Sequence, residues 1–144
     1  KRHGIHFLLG VLSALVCVLV TGIAMTYFIG SSKWCSEVVD TYSLDLSYVR
    51  KSRTLKRRAY PWTISGVAVI VVIVAFGAAA DPATQIESLA SWVTPHMIVA
   101  ILGTMWLSVS FLNQAGLIGA HYDVINEIVA AVEVRRAEIG RADE

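Results

Sequence analysis

Three long runs of apolar residues, separated by short polar stretches, set the plan of this chain. No Asp, Glu, Lys or Arg lies between Arg2 and Lys33, within Ala59–Ala80, or between Glu87 and Asp123. About 20 apolar residues, at roughly 1.5 Å rise each, cross a hydrocarbon core of about 30 Å. The pattern predicts an all-α integral membrane protein with a single membrane domain. Its three transmembrane helices fall at about residues 4–30, 61–80 and 96–120. The first run begins with basic residues as a secretory signal does. Its apolar stretch exceeds the roughly 7–15 residues of such a core and no A-x-A site closes it, so it reads as a retained helix.

The polar positions define the ends. Pro61 and the pair Thr94–Pro95 stand where helices two and three are expected to start, because proline suits a first turn and threonine caps one. Beyond Gly30, Trp34, Val38 and Tyr42 recur every fourth residue, with Lys33, Glu37 and Asp40 elsewhere, and predict an amphipathic extension that breaks near Ser43–Ser47. The remainder of 31–60 reads as a basic cytoplasmic loop. After Ala120, His121, Ile125, Ile128, Val132, Arg135 and Ile139 follow four- and three-residue steps, predicting an amphipathic cytoplasmic helix over 121–140. Its apolar seam, Ile125, Ile128 and Val132, is too short to hold a free helix in water. The seam is expected to dock, either on Trp34, Val38 and Tyr42 or on a neighbouring subunit.

Composition agrees: 56% of the residues are hydrophobic and 16% charged, against roughly 25% charged in soluble domains. A net charge of +1 supplies no global field for nucleic acid, and no recognition motif is present. The positive charges matter through where they lie. Lys33, Arg50, Lys51, Arg53, Lys56, Arg57 and Arg58 fall between the first two spans, Arg135, Arg136 and Arg141 follow the third, and the connection 81–94 has no Lys or Arg. Counted over short loops, this predicts an outside N-terminus and a cytoplasmic C-terminus in an inner (plasma) membrane. Arg50, Lys51, Arg53, Lys56, Arg57 and Arg58 are thus a topology determinant, with anionic lipid headgroups as expected partners. Trp34, Trp62 and Trp92 fit interfacial aromatic belts.

Helix association in lipid relies on close packing and interhelical hydrogen bonds. Gly10, Ala14, Cys17, Thr21 and Ala24 form one small-residue stripe, and Ser108, Asn113 and Gln114 are candidate hydrogen-bonding residues on helix three. Cys17 and Cys35 lie 18 positions apart on one predicted helix, about 27 Å along its axis, so they cannot bridge within the chain.

Candidate chemistry is sparse. No Walker loop, H-E-x-x-H or C-x-x-C sequence occurs, and no metal site is predicted. His6 and His96 begin spans one and three at similar depth. Two histidines on neighbouring helices are the pattern that ligates a haem b or holds a quinone. The leading expectation is a non-catalytic subunit that scaffolds or anchors a larger membrane complex, such as a respiratory or photosynthetic one, with other membrane subunits as partners. The alternatives are a haem b or quinone-binding redox anchor using His6 and His96, and a small homo-oligomeric channel or transporter with polar span three facing a pore.

Overall fold

The computed structural model describes residues 2–81 and 91–142. Three α-helices account for nearly all of them: α1 (Arg2–Thr41), α2 (Ser47–Ala79) and α3 (Val93–Ala142). All three are long and apolar enough to cross a membrane. No strand occurs among the described residues. Most of the connection expected at 81–94, including Glu87, lies outside the described residues.

Of the basic loop expected at 31–60, the first part is the expected extension of α1, which ends at Thr41, and the connection is 42–46. The correction concerns 47–60, which is the start of α2 and not a loop. The expected start of span two, Pro61, lies inside α2. A proline there removes one hydrogen bond and crowds the carbonyl four residues back, but the apolar positions keep their phase through it. Val49, Ser52, Ala59, Thr63, Gly66 and Ile70 are all buried at helical spacing. Packing on that face outweighs the local cost, and Arg and Lys are good helix formers.

The tail over 121–140, expected as a helix continuous with span three, is the end of α3. Its seam is covered in part: Ile128 is fully buried, Ile125 and Val132 are half-buried, and Arg135 and Ile139 are exposed.

The chain divides into two compact units, to each of which every helix contributes. The first comprises Lys1–Ile23 and Trp62–Leu112. Its tightest approach is at Gly103, where an added Cβ would lie 2.5 Å from Ile73 Cδ1 and 3.1 Å from Val69 Cγ1. Only a residue without a Cβ lets α3 sit this close to α2. Nearby, a Cβ on Gly66 would meet Ser110 Oγ, Leu107 and Thr21 at ordinary contact distance, so all three helices converge on this glycine. Ser110 Oγ donates to the Trp62 carbonyl at 2.9 Å. The Trp62 and Trp106 rings pack 5.6 Å apart, and Trp106 Nε1 donates to Ser65 Oγ.

The second unit comprises Ala24–Pro61 and Asn113–Glu144. Its core joins Cys35 and Val39 of α1, Val49 of α2, and Val124 and Ile128 of α3. Val38, Leu44, Tyr48, Leu55, Ile125 and Val132 pack around them. Trp34 and Tyr42, expected to cover the seam, are not in this core; Val38 is, and the N-terminal turns of α2 complete the cover. The turn from α1 uses Ser43 at φ 51°, a left-handed conformation uncommon outside glycine. The Leu44 amide returns to the Val39 carbonyl at 2.9 Å. Asp45 caps α2, its Oδ1 accepting the Ser47 amide at 2.6 Å.

Candidate functional site

Two histidine-centred places differ from their surroundings, one in each unit. In the first unit α1 carries His6 and α3 carries His96, with ring centroids 6.4 Å apart and planes at 74°. His6 is exposed and His96 half-buried. The His96 ring lies against α2 where Gly77 leaves room: a Cβ there would stand 3.2 Å from Cε1. His96 Nδ1 is buried and has no hydrogen-bond partner among the described residues. Beside His6, a Cβ on Gly4 or Gly10 would meet nothing within 4 Å.

The separation has chemical content. Two imidazoles bound at about 2.0–2.1 Å on one tetrahedral ion would set their centroids roughly 5 Å apart, closer than this pair. No group of three His, Cys, Asp or Glu side chains able to hold a metal occurs among the described residues. A bare zinc site needs three or four protein ligands. His6 and His96 are the residues that would hold a haem b at this end, and the haem would supply one-electron redox chemistry. His96 Nδ1 is packed on α2, 3.6 Å from where a Cβ on Gly77 would stand, while the helix positions beside His6 at Gly4 and Gly10 are open.

The second place was not singled out as a site by sequence reasoning. His121 of α3 is fully buried, and both ring nitrogens face partners. Nε2 lies 2.9 Å from Ser52 Oγ of α2, and Nδ1 lies 3.4 Å from Tyr27 Oη of α1. Ser52 donates onward to Ser32 Oγ at 3.0 Å and is within hydrogen-bonding reach of Cys35. Each of the two contacts joins a ring nitrogen to a hydroxyl that can donate or accept, so either tautomer of the ring is fully satisfied. Phe28 and Tyr27 close edge-on against the ring, each at 5.6 Å.

This group resembles a nucleophile–base pair in composition, but Ser32, Ser52, Cys35 and His121 are all buried and no carboxylate orients the ring. The contacts form one polar junction that ties α1, α2 and α3 together. A buried polar network of this kind fixes which residues face one another, because any slip leaves polar atoms unpaired.

The predicted packing residues divide. Along α1, Gly10 is exposed, Ala14 and Cys17 are half-buried, and Thr21 and Ala24 are buried. Thr21 Oγ1 is occupied by the Cys17 carbonyl at 2.8 Å. Along α3, Gln114 is buried whereas Ser108 and Asn113 are exposed, and Ser108 Oγ turns back to the Thr104 carbonyl. Ser110, two positions beyond Ser108, has a hydroxyl that reaches another helix.

Of the six basic residues at the start of α2, Lys51 pairs with Glu127 of α3 at 2.6 Å. Both ends are about half exposed, so the pair contributes little. Arg50 lies in the field of Asp45. Backbone and side-chain hydrogen bonds from Ser47, with Arg50 adding to them, hold the Asp45 carboxyl below the usual carboxylate range.

No protein-family model, curated protein or solved structure matches the chain.

Proposed function

We propose that this chain is a non-catalytic integral membrane subunit that anchors or scaffolds a larger complex, its amphipathic helix ends lying on the cytoplasmic side of an inner membrane. The observation that carries the reading is the nakedness of its spans. Only 11% to 17% of the most apolar stretch of each helix is buried within the chain. Residues 4–13 of α1 are exposed throughout. Leucine and valine on such a surface suit lipid, but the open positions at Gly4 and Gly10 do not gain from it. Small residues in a span favour close approach of another helix, and among the described residues none stands within 4 Å of a Cβ placed at either.

The test is a photo-reactive phenylalanine analogue at Phe7, which is exposed one turn from Gly10. In native membranes it is expected to cross-link to a different polypeptide, while the same probe at exposed Val71 of α2 labels lipid. Lipid labelling alone at both positions argues against the assembly reading.

The second reading, a haem b or quinone-binding redox anchor, is favoured by the 6.4 Å separation of His6 and His96. A Soret band in protein purified from native membranes, lost on His96→Leu, supports haem. Extracted quinone at unit stoichiometry, lost in the same variant, supports the other ligand.

A further inference from the structure

The start of α2 gathers positive charge that the chain leaves uncompensated. Arg53, Lys56, Arg57 and Arg58 form no ion pair among the described residues, whereas Lys33, Lys51 and Arg135 each meet a glutamate within 4 Å. Arg53, Arg57 and Arg58 are exposed, and Lys56 is half-buried. The opposite side of this stretch, Val49, Ser52 and Ala59, is buried. Because the segment is helical, Arg53 and Arg57 stand one turn apart on one face. Like charges at that spacing oppose each other by a few tenths of a kcal/mol. A helix that holds these cations together without a carboxylate leaves a phosphate-shaped demand outside.

Position along the helix identifies what meets it. The charge-free run begins at Ala59, immediately after Arg58, on the same continuous α2. From Arg53 to Arg58 is about 7.5 Å of rise. The headgroup layer on each side of a bilayer is roughly 5–8 Å thick, so the arginines lie at headgroup depth once span two is in the hydrocarbon. Tyr60 and Trp62 follow at the boundary, where amphipathic rings prefer to sit. Arginine is suited to the role because its fork donates two parallel hydrogen bonds to a phosphate.

We propose that Arg53, Arg57 and Arg58 form a binding face for the phosphate of an anionic phospholipid, distinct from their part in setting orientation. The proposal rests on the membrane placement of α2 and not on the assembly or redox readings. Binding is measured on the purified full chain in mild detergent, a medium without sidedness, so the result does not depend on topology.

Phosphatidylglycerol is titrated against phosphatidylcholine, with retained lipid counted by native mass spectrometry and the melting midpoint followed in parallel. The intact chain is expected to prefer phosphatidylglycerol, more weakly at high salt. The triple change of Arg53, Arg57 and Arg58 to Gln should weaken that binding about a hundredfold, on the order of one factor of five per basic residue. Arg57→Gln alone should lose about fivefold, which covers the case in which the triple variant folds poorly. The triple change to Lys should recover only part of the affinity. Equal binding by the intact chain and Arg57→Gln overturns the proposal. So does an equal loss on changing Arg135, Arg136 and Arg141 to Gln, which means a diffuse field. Competition by inorganic phosphate at equal concentration also overturns it, since the site then takes a free anion.

Discussion

Ser52 Oγ stands 2.9 Å from His121 Nε2, joining α2 to α3 across 69 positions of sequence at a point where both residues are fully buried. Ser32 and Tyr27 extend the junction into α1. Ser52→Ala strands Nε2 of a buried ring, which costs about 1–3 kcal/mol. His121→Phe removes the stranded nitrogen together with its partner's need for it. The double variant is therefore expected to lose less than the two single variants added together, as coupled neighbours do. Unfolding midpoints of the four proteins, measured in one detergent, check this; strict additivity would mean that the contact carries no energy.

Gly103 and Gly10 separate packing within the chain from packing against something else. Gly103→Val forces Ile73 and Val69 aside, and overpacking of this kind costs about 1–3 kcal/mol. Gly10→Leu meets nothing within 4 Å, so the isolated chain should melt unchanged or slightly higher. In native membranes the order is expected to reverse for assembly: Gly10→Leu lowers the yield of co-purifying subunits although it leaves the chain intact.

The helix seam is tested at Ile128, fully buried among Cys35, Val39 and Val49. Ile128→Ala should cost about 2–5 kcal/mol and expose the end of α3 to protease. Ile139→Ala, at a position nearly half exposed on the same helix, should change little. Membrane-fraction abundance is expected to stay constant for both, because insertion depends on the spans.

Asp45 gives the connection a pH dependence. Its carboxylate accepts the Ser47 amide, so the folded group titrates below an ordinary aspartate. A lowered folded value means that the cap's contribution is present above about pH 4, where the unfolded group is ionised. The contribution is lost as pH falls through the folded value. Protection of the Ser47 and Tyr48 amides, taken as exchange relative to the intrinsic rate at each pH, should therefore fall at low pH in the parent. Asp45→Asn, a competent cap without a charge, should show no such step.

Some of this was readable in the chain and some was not. The three spans follow from charge-free runs of bilayer length, a signal that survives any error at the ends. Equal depth in two spans brought His6 and His96 under consideration as neighbours. The start of α2 was hidden by six cations in nine positions and by Pro61, both of which resemble loop punctuation. The signal that could have revealed it was the phase of Val49, Ser52, Ala59, Thr63, Gly66 and Ile70, unbroken across the proline. The junction at His121 had no such signal. Its members are separated by long stretches of chain, and serine, tyrosine and histidine at these spacings are common on exposed helix faces. Only the three-dimensional meeting of the helices makes them one group. Gly10 and Ser108 show the reverse case: small or polar residues in a span mark a face for contact, but the sequence does not say whether the contact lies within the chain.

The central claim, that this chain serves as one subunit of a larger membrane assembly, is tested most directly by native mass spectrometry of the full chain extracted from its own membranes in mild detergent. The account predicts a complex containing at least one different membrane polypeptide at fixed stoichiometry, depleted by Gly10→Leu. A species whose mass is the chain alone, or a whole-number multiple of it with lipid, would contradict the account.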